Sequence, residues 1–182
     1  MNARINAGFL KGRVIRIPEK KLSFRPTLER ARVSIADILQ PRLAGSICAD
    51  ICAGSGSIGF EMLSRGAARV DFVENDSNCA EVIRAHADQF KVADRCTVIS
   101  MDVRRFADSY RDRYDIVFLD PPYHDETLNG IHTPLLRLVR SGGILLYQRH
   151  RRAAPKTPVE PEGAVPFDTR RYGNSIVELY RP

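Results

Sequence analysis

Four consecutive residues in the second half of the chain, Asp120-Pro121-Pro122-Tyr123, combine groups that suit one chemical task. The two prolines fix an extended turn and remove backbone N–H groups, which leaves carbonyl oxygens as acceptors beside the Asp120 carboxylate. Two such acceptors can hold the hydrogens of an amine on an aromatic ring and turn its lone pair toward an electrophile. Tyr123 offers a flat face on which a base can stack. The motif therefore predicts a catalytic site for an exocyclic base amine, built from these four residues.

A glycine-rich segment, residues 54–59, reads Gly-Ser-Gly-Ser-Ile-Gly and matches the pattern GxGxxG. Glycines permit a tight turn and a close approach to a nucleotide, and the helix behind them offers N–H donors. Glu74, 20 residues after Gly54, suits ribose hydroxyls. These residues alone fit a dinucleotide as well as another nucleoside cofactor. Asp50 disfavours the dinucleotide, because its charge would repel a pyrophosphate and attract an ammonium group.

Short apolar strands alternate with helices from Ile47 onward, which predicts a doubly wound, largely parallel α/β sheet. The predicted strands are 47–53, 70–73, 96–100, 115–119 and 144–147, and the predicted helices are 58–64, 79–90, 103–108 and 127–140. We expect Ser141-Gly142-Gly143 to end the last helix, and residues 165–170 and 175–180 to form an antiparallel hairpin. Both motifs then follow strands at the carboxyl edge of the sheet, where such folds bind ligands.

The excess positive charge is concentrated at the start of the chain. Residues 1–32 carry nine basic and two acidic side chains, a net charge of +7, whereas the remaining 150 residues have a net charge of −1. Such a distribution is typical of a segment that binds a polyanion, although a solubilising basic face fits the charge equally well. We therefore divide the chain into a basic arm, residues 1–26, and a larger domain, residues 27–182.

Local patterns predict two elements in and after this arm. Weak alternation from Arg4 to Ile17, interrupted at Lys11-Gly12, predicts a short hairpin. Apolar residues at helical spacing predict a helix over 28–39, with Thr27 as its N-cap and Pro41 as its end.

The composition is that of one globular domain, with 43% apolar and 27% charged residues. No apolar run is long enough to cross a membrane, and the first 12 residues lack a hydrophobic signal core. Four cysteines show no CxxC pair or zinc-type spacing, and we expect Cys48 and Cys52 to be small buried side chains. These observations predict a monomeric cytosolic protein without a metal site.

Both motifs resemble those of known enzymes. The segment Asp50–Gly56 resembles the nucleotide-binding motif of class I methyltransferases, and residues 120–123 resemble the (Asp/Asn)-Pro-Pro-(Tyr/Phe) motif of methyltransferases that act on exocyclic base amines. The resemblance implies S-adenosyl-L-methionine as the cofactor, with Glu74 at its ribose and Asp102 at its adenine amino group. The cofactor-binding residues that it implies are Asp50, Ala53, Gly54, Ser55, Gly56, Glu74, Asp102 and Val103.

Three segments together, residues 25–32, 53–67 and 120–123, are similar to the RsmD family of methyltransferases. That resemblance implies a Rossmann-like fold with a mostly parallel seven-stranded sheet, a C-terminal antiparallel hairpin and an N-terminal hairpin extension. It also implies transfer of a methyl group to N2 of one guanine in the 16S ribosomal RNA of the small subunit. We expect the following basic side chains to contact the RNA: Lys11, Arg13, Arg16, Lys20, Lys21, Arg25, Arg149 and Arg151.

The sequence departs from the family pattern in two places. The family often has Glu-Ser after the fifth strand, where this chain has Gln148-Arg149, and an Asn where this chain has His86. We expect His86 to be a surface or packing residue. His124, next to Tyr123, is not required as a base, because an ammonium product loses its proton to water.

Three alternative functions remain open at the level of sequence. The first is an N6-adenine or N4-cytosine amino-methyltransferase acting on DNA or RNA, although the chain has little room for a DNA target-recognition domain. The second is a non-catalytic RNA-binding factor in ribosome assembly. The third is a dinucleotide-dependent oxidoreductase, for which the chain lacks a separate substrate domain.

Overall fold

The structure is a computed structural model that describes residues 2–16, 29–111, 113–122, 125–150 and 164–182. The side chains of residues 29–31 and 150 are not described. The predicted N-cap Thr27 lies outside these ranges. In the described part of the chain, no helix is both long and apolar enough to span a bilayer.

Two sheets are present in the described ranges. Strands β1 (Asn2–Arg4) and β2 (Val14–Arg16) form a small antiparallel hairpin. The large sheet contains β3 (Ile47–Ile51), β4 (Arg69–Glu74), β5 (Cys96–Ser100), β6 (Tyr114–Leu119), β7 (Val139–His150), β8 (Asp168–Tyr172) and β9 (Ser175–Tyr180). The helices are α1 (Glu29–Leu43), α2 (Ser57–Ser64), α3 (Ser77–Gln89), α4 (Val103–Ser109) and α5 (His132–Leu135).

The strand order of the large sheet is β5-β4-β3-β6-β7-β9-β8. The first five strands in this order pair in parallel, whereas β9 pairs antiparallel with both β7 and β8. The chain turns outward from the centre in opposite directions after β3 and after β6. A crevice therefore opens at the carboxyl ends of these two strands, which is where doubly wound folds bind ligands. The predicted fold class, with its seven-stranded sheet and C-terminal hairpin, is confirmed.

Alternating side chains of the strands bury two apolar layers, one on each face of the sheet. Phe118 and Leu146 contact the layer that includes Ile35 of α1 and Phe60 of α2. Val117 and Leu145 contact the layer that includes α4 and α5. Strands buried on both faces must be apolar at nearly every position, which explains why β6 reads as a continuous hydrophobic run.

The N-terminal hairpin is packed on the first of these layers. Ile5 and Ile15 are fully buried, and Leu10 is 4% exposed. The buried carboxylate of Glu61 in α2 accepts the backbone N–H groups of Asn6 and Ala7 at 2.9 and 3.1 Å. The hairpin therefore shares the main core, and the proposed boundary at residue 26 falls in a segment outside the described residues.

The prediction that Pro41 ends the first helix is wrong, since α1 continues to Leu43. A proline this close to the C-terminus removes only one hydrogen-bond donor from the last turn. Leu43 is fully buried, and its packing keeps that last turn helical.

The predicted helix over 127–140 is also wrong. The segment contains 3-10 turns at Glu126–Leu128 and Leu136–Leu138 on either side of the four-residue α5, and β7 begins at Val139. Gly130 has a φ of 79°, which interrupts the helical path. Gly142 and Gly143 lie inside β7, where the register with β6 shifts and a Cβ on Gly143 would lie 2.8 Å from the Asp115 carbonyl oxygen. These glycines permit a bulge and a close strand approach, rather than ending a helix.

Candidate active site

The glycine loop follows β3 in a conformation that depends on its glycines. Gly54 and Gly56 have φ values of 55° and 73°, in the left-handed region that favours glycine. Cys52 has a φ of 58° and lies outside the strand, half-buried, so the prediction that it is a buried strand residue is wrong. Cys48 is buried as predicted. The left-handed turns bring the backbone of the loop to the carboxyl edge of the sheet.

Helix α2 starts directly behind the loop and presses closely on β4. A Cβ on Gly59 would lie 2.1 Å from the ring of Phe72, so only glycine permits this approach. The first turn has no side-chain cap at Gly56. The positive end of the helix dipole therefore faces the loop, and the only side chain that accepts a first-turn N–H among the described residues is Asp50, which bonds to Gly59.

Asp50 lies underneath the loop. It is 2% exposed, and its Oδ2 accepts the Gly59 N–H at 2.8 Å. Burial raises the pKa of Asp50 well above its ordinary value, and the Gly59 hydrogen bond opposes this rise. The carboxylate therefore supports the loop from below, and its direct contact with a cofactor ammonium group stays a prediction.

Glu74 ends β4 beside the loop. Its Oε2 accepts the Gly54 N–H at 2.6 Å, and its Oε1 accepts the Asp76 N–H at 2.8 Å. Burial raises the pKa of Glu74, while these two N–H groups act in the opposite direction. Each carboxylate oxygen has a second lone pair, so Glu74 can hold the loop and still accept from ribose hydroxyls.

Asp102 caps the N-terminus of α4, and Val103 is the first residue of that helix. The Asp102 carboxylate accepts the Arg104 backbone N–H at 2.9 Å and the guanidinium Nη2 of Arg104 at 2.8 Å. The side-chain hydrogen bond from Arg104 lowers the pKa of Asp102 to about 2. The carboxylate expected to face an adenine amino group is thus already engaged by a cation that the sequence analysis did not consider.

The Asp-Pro-Pro segment follows β6 and lies next to the glycine loop. The Asp120 N–H donates to the Ile51 carbonyl oxygen at 3.3 Å, which joins the two motifs across neighbouring strands. The Pro122 carbonyl accepts the Asp125 N–H at 3.0 Å and retains a second lone pair. The motif has a second proline carbonyl, that of Pro121. Tyr123 and His124 lie outside the described residues.

Four carboxylates surround the half-buried Cys52 at this edge. Those of Glu74, Asp120, Asp50 and Asp102 all raise the pKa of the Cys52 thiol, after the larger effect of burial. Arg104 balances the charge of Asp102, and the other carboxylates still make the crevice favour a cationic ligand. Together with the positive end of the α2 dipole, these residues fit a nucleoside cofactor that carries a sulfonium and an ammonium group.

The basic residues expected to contact RNA divide into three groups. Lys11, Arg13 and Arg16 are exposed on the N-terminal hairpin. Lys20, Lys21, Arg25 and Arg151 lie outside the described residues. Arg149 instead pairs with Glu178, to which its Nη2 donates at 2.6 Å, and its side chain is 24% exposed. Because this charge is balanced within the protein, the position of Arg149 does not favour the expected RNA contact.

The sequence analysis missed residues that hold the hairpin in place. His86 is 6% exposed and accepts the Arg16 N–H through Nε2 at 3.0 Å. Its Nδ1 lies 2.8 Å from the Val82 carbonyl oxygen, which fixes the tautomer with the proton on Nδ1. Glu61, described above, anchors the other strand of the hairpin. A polar residue on the buried face of each helix was the available signal in both cases.

Comparisons with known proteins agree with this geometry. A family model described as Conserved hypothetical protein 95 matches residues 3–181. Ribosomal RNA small subunit methyltransferase D of Haemophilus influenzae is 36% identical over 66% of this chain and 64% of its own length. The protein of the same name from Escherichia coli is 32% identical over 69% of this chain and 65% of its own length.

The fold is also found in solved structures. A hypothetical protein of Thermus thermophilus superposes with a TM-score of 0.78 over 99% of both chains, at 24% identity. The alignments with the two curated relatives span just under two thirds of those proteins, whereas the family match extends over nearly the whole chain. The chain therefore belongs to the RsmD family of methyltransferases.

Proposed function

We propose that the protein transfers a methyl group from S-adenosyl-L-methionine to the N2 amine of a guanine in 16S ribosomal RNA. The observation that carries this proposal is the 3.3 Å hydrogen bond between the Asp120 N–H and the Ile51 carbonyl. It brings an amine-binding motif and a nucleoside-binding loop to one crevice, as methyl transfer between two bound molecules requires. The names of the curated relatives support ribosomal RNA of the small subunit as the substrate.

The acceptor amine is activated by Asp120 and a proline carbonyl. The Asp120 carboxylate accepts one N–H of the amine, and a proline carbonyl accepts the other. The Pro122 carbonyl already accepts the Asp125 N–H, so we favour the Pro121 carbonyl for this role. These acceptors turn the nitrogen lone pair away from the ring and stabilise the positive charge that develops on nitrogen during attack. Tyr123 stacks on the base, at about 1–3 kcal/mol per stacked base in comparable sites. The product amine then releases its proton to water.

The cofactor is held by the glycine loop and by the carboxylates around it. S-adenosyl-L-methionine supplies an electrophilic methyl group on a sulfonium ion. The backbone of the loop, including Ala53, Ser55 and Gly56, lines the crevice, and Glu74 accepts from the ribose hydroxyls. Asp102 and Val103 lie at the adenine end, where Arg104 must share or release the Asp102 carboxylate when an amino group binds there.

The basic arm supplies the RNA-binding surface. Lys11, Arg13 and Arg16 are exposed on one hairpin, and we propose that Lys20, Lys21 and Arg25, outside the described residues, also contact the RNA. The guanine must leave its stack to reach Asp120, which favours a loop over a helix. We propose that the protein acts as a monomer on the small ribosomal subunit or on one of its assembly intermediates.

The test uses tritiated S-adenosyl-L-methionine, the purified protein, and small subunits from a strain that lacks the enzyme. Digestion of the RNA to nucleosides and chromatography identify the labelled base. We expect the label in N2-methylguanosine. Label in N6-methyladenosine or N4-methylcytidine would retain the amine chemistry but contradict the proposed acceptor.

The same assay separates catalysis from RNA binding. A protein that binds the subunit and S-adenosylhomocysteine but transfers no label to subunits or to free 16S RNA would favour the assembly-factor alternative. Free 16S RNA tested beside subunits shows which form is the substrate.

A further inference from the structure

Tyr147 is a residue of the crevice with no role in the proposed mechanism. It pairs with Leu119 across β6 and β7, and Leu119 directly precedes Asp120. Ile51 pairs with the same Leu119 from the other side and directly precedes Cys52. Neighbouring strands are about 4.8 Å apart. Tyr147, Leu119 and Ile51 therefore lie side by side on three neighbouring strands, and the Asp-Pro-Pro turn and the glycine loop follow the last two of these residues.

The ring of Tyr147 is held firmly. It stacks on His132 with ring centroids 5.1 Å apart and an interplanar angle of 17°. His132 also contacts Tyr180, with ring centroids 4.8 Å apart. Burial lowers the pKa of His132, which favours the neutral imidazole, and its Nδ1 is buried without a hydrogen-bond partner among the described residues. This stack fixes the direction in which the Tyr147 hydroxyl points.

The two tyrosines that contact His132 differ in their hydroxyl groups. The Tyr180 hydroxyl donates to Glu178 Oε2 at 3.0 Å. The Tyr147 hydroxyl has no hydrogen-bond partner among the described residues, although the side chain is only 8% exposed. This oxygen is not among the fully buried side-chain atoms that lack a partner, so it reaches the open side of the site, where water is its ordinary partner. A bound molecule in the crevice can replace that water.

The strand pairing with Leu119, the residue before Asp120, brings Tyr147 close to the acceptor motif. Burial raises the pKa of Tyr147. The Arg149 guanidinium opposes this rise, and Glu178, Asp120 and Cys52 add to it. The phenol is therefore neutral and can both donate and accept a hydrogen bond. In guanine, the atoms beside the N2 amine are N1, which donates, and N3, which accepts. A neutral hydroxyl next to Asp120 suits either of them.

We propose that Tyr147 is a positioning residue for the acceptor base, whose ring edge its hydroxyl contacts beside the exocyclic amine. This inference rests on the proposed function, because it requires a base amine at Asp120. Asp120 and the Pro121 carbonyl fix the amine hydrogens, and Tyr147 fixes the rotation of the ring to which the amine is attached. The lone pair of the amine then meets the methyl group in line.

Tyr147→Phe removes the hydroxyl and keeps the ring on His132, so the protein should fold normally. We expect kcat/KM for subunits from the deficient strain to fall about tenfold, as for one lost hydrogen bond to a substrate. The Kd for S-adenosylhomocysteine and the Tm should match the wild type, a combination that a merely structural role would not produce. Tyr180→Phe is the matched control, in which we expect a lower Tm and an unchanged kcat/KM.

Two outcomes would overturn the inference. An unchanged kcat/KM in Tyr147→Phe would remove Tyr147 from the acceptor site. A loss of S-adenosylhomocysteine affinity as large as the loss of kcat/KM would assign the residue to the cofactor instead. In either case, N2-methylguanosine formed by the wild type would leave the proposed function intact. If the wild type labels no guanine amine, the proposed function and the inference fail together.

Discussion

The backbone N–H of Asp120 donates to the carbonyl oxygen of Ile51 at 3.3 Å, and this contact joins the two functional segments of the chain. Ile51 is the last residue of β3, and Asp120 is the first after β6. The glycine loop and the Asp-Pro-Pro turn therefore leave adjacent strands at the same height. Their relative position is set by the parallel register of a sheet buried on both faces, so it does not depend on a flexible loop.

Replacement of Asp120 should abolish methyl transfer without loss of the cofactor. Asp120→Ala removes a charged acceptor from the acceptor amine, and a loss of about 10²–10³-fold in kcat is typical when one such preorganised group is deleted. Asp120→Asn retains an acceptor oxygen without the charge and should fall between the alanine variant and the wild type. The assay is label transfer to deficient subunits, with S-adenosylhomocysteine affinity measured by calorimetry.

If Asp120→Ala transfers label at the wild-type rate, the proposed role of this carboxylate is excluded. Loss of S-adenosylhomocysteine binding in the same variant would instead place Asp120 in the cofactor site. Tyr180→Phe, which changes a buried side chain outside the motif, provides the comparison for general effects on the fold.

Asp50 should make the stability of the cofactor-free protein depend on pH. Its pKa is raised above the ordinary value of 3.8, chiefly by burial, so the folded chain binds its proton more tightly than the unfolded chain does. The free energy of unfolding therefore falls as the pH rises from about 3.8 through the raised pKa. The amide introduced by Asp50→Asn does not titrate, and its oxygen can still accept the Gly59 N–H.

We expect Asp50→Asn to gain stability relative to the wild type between pH 4 and pH 8. Each kcal/mol gained corresponds to roughly 2–4 °C in Tm for a domain of this size. Thermal unfolding followed by circular dichroism across this range is the measurement. A constant difference in Tm between the two proteins at all pH values would show that Asp50 does not titrate differently on folding.

The hairpin charges should determine the salt dependence of RNA binding. Lys11 and Arg13 are exposed on the turn side of the hairpin. Each phosphate contact on single-stranded RNA contributes about −0.7 to the slope of log K against log salt. Lys11→Ala/Arg13→Ala should therefore make the slope shallower by about 1.4. This slope is measured by filter binding of 16S RNA at several salt concentrations.

Arg111→Ala is the matched control for the hairpin variant. Arg111 is also exposed, but it follows α4 on the opposite face of the sheet. We expect its slope to equal that of the wild type. Equal slopes in all three proteins would mean that the hairpin does not contact phosphates.

The sequence predicted the parts of this fold whose signals are local. Strand β5 has the predicted bounds, 96–100, because its apolar run is enclosed by turn residues. The failures came from tertiary contacts. Leu43 extends α1 beyond Pro41 by packing in the core, and Gly143 lies where β6 approaches too closely for a side chain. Neither contact has a counterpart in the neighbouring residues of the sequence.

The candidate site was predictable to the same extent. Glu74 and Asp120 were proposed because they end or follow an apolar strand, and Asp50 because it lies near the end of one; parallel strands bring such residues to one edge. Arg104 and Tyr147 were missed because their relevance depends on which neighbour they face. Arg104 contacts Asp102 within its own helix turn, whereas Tyr147 meets Leu119 only through strand pairing.

Arg149 should contribute to stability rather than to RNA binding. Its guanidinium donates twice to Glu178 Oε1, at 2.6 and 3.0 Å, and the Glu178 side chain is 11% exposed. Arg149→Ala leaves this carboxylate buried with only the Tyr180 hydroxyl as its remaining side-chain partner among the described residues. An uncompensated buried polar group costs about 1–3 kcal/mol, and more when it is charged. We expect a lower Tm and an unchanged salt slope for RNA binding.

The double variant Arg149→Ala/Glu178→Ala separates the two roles. Removing both partners eliminates the uncompensated charge, so the double variant should recover part of the stability that Arg149→Ala loses. If Arg149 contacts RNA, both variants will instead show a salt slope about 0.7 shallower than that of the wild type. Denaturant unfolding and filter binding of the wild type and both variants decide between a role in stability and a role in RNA binding. An internal ion pair changes only the free energy of unfolding.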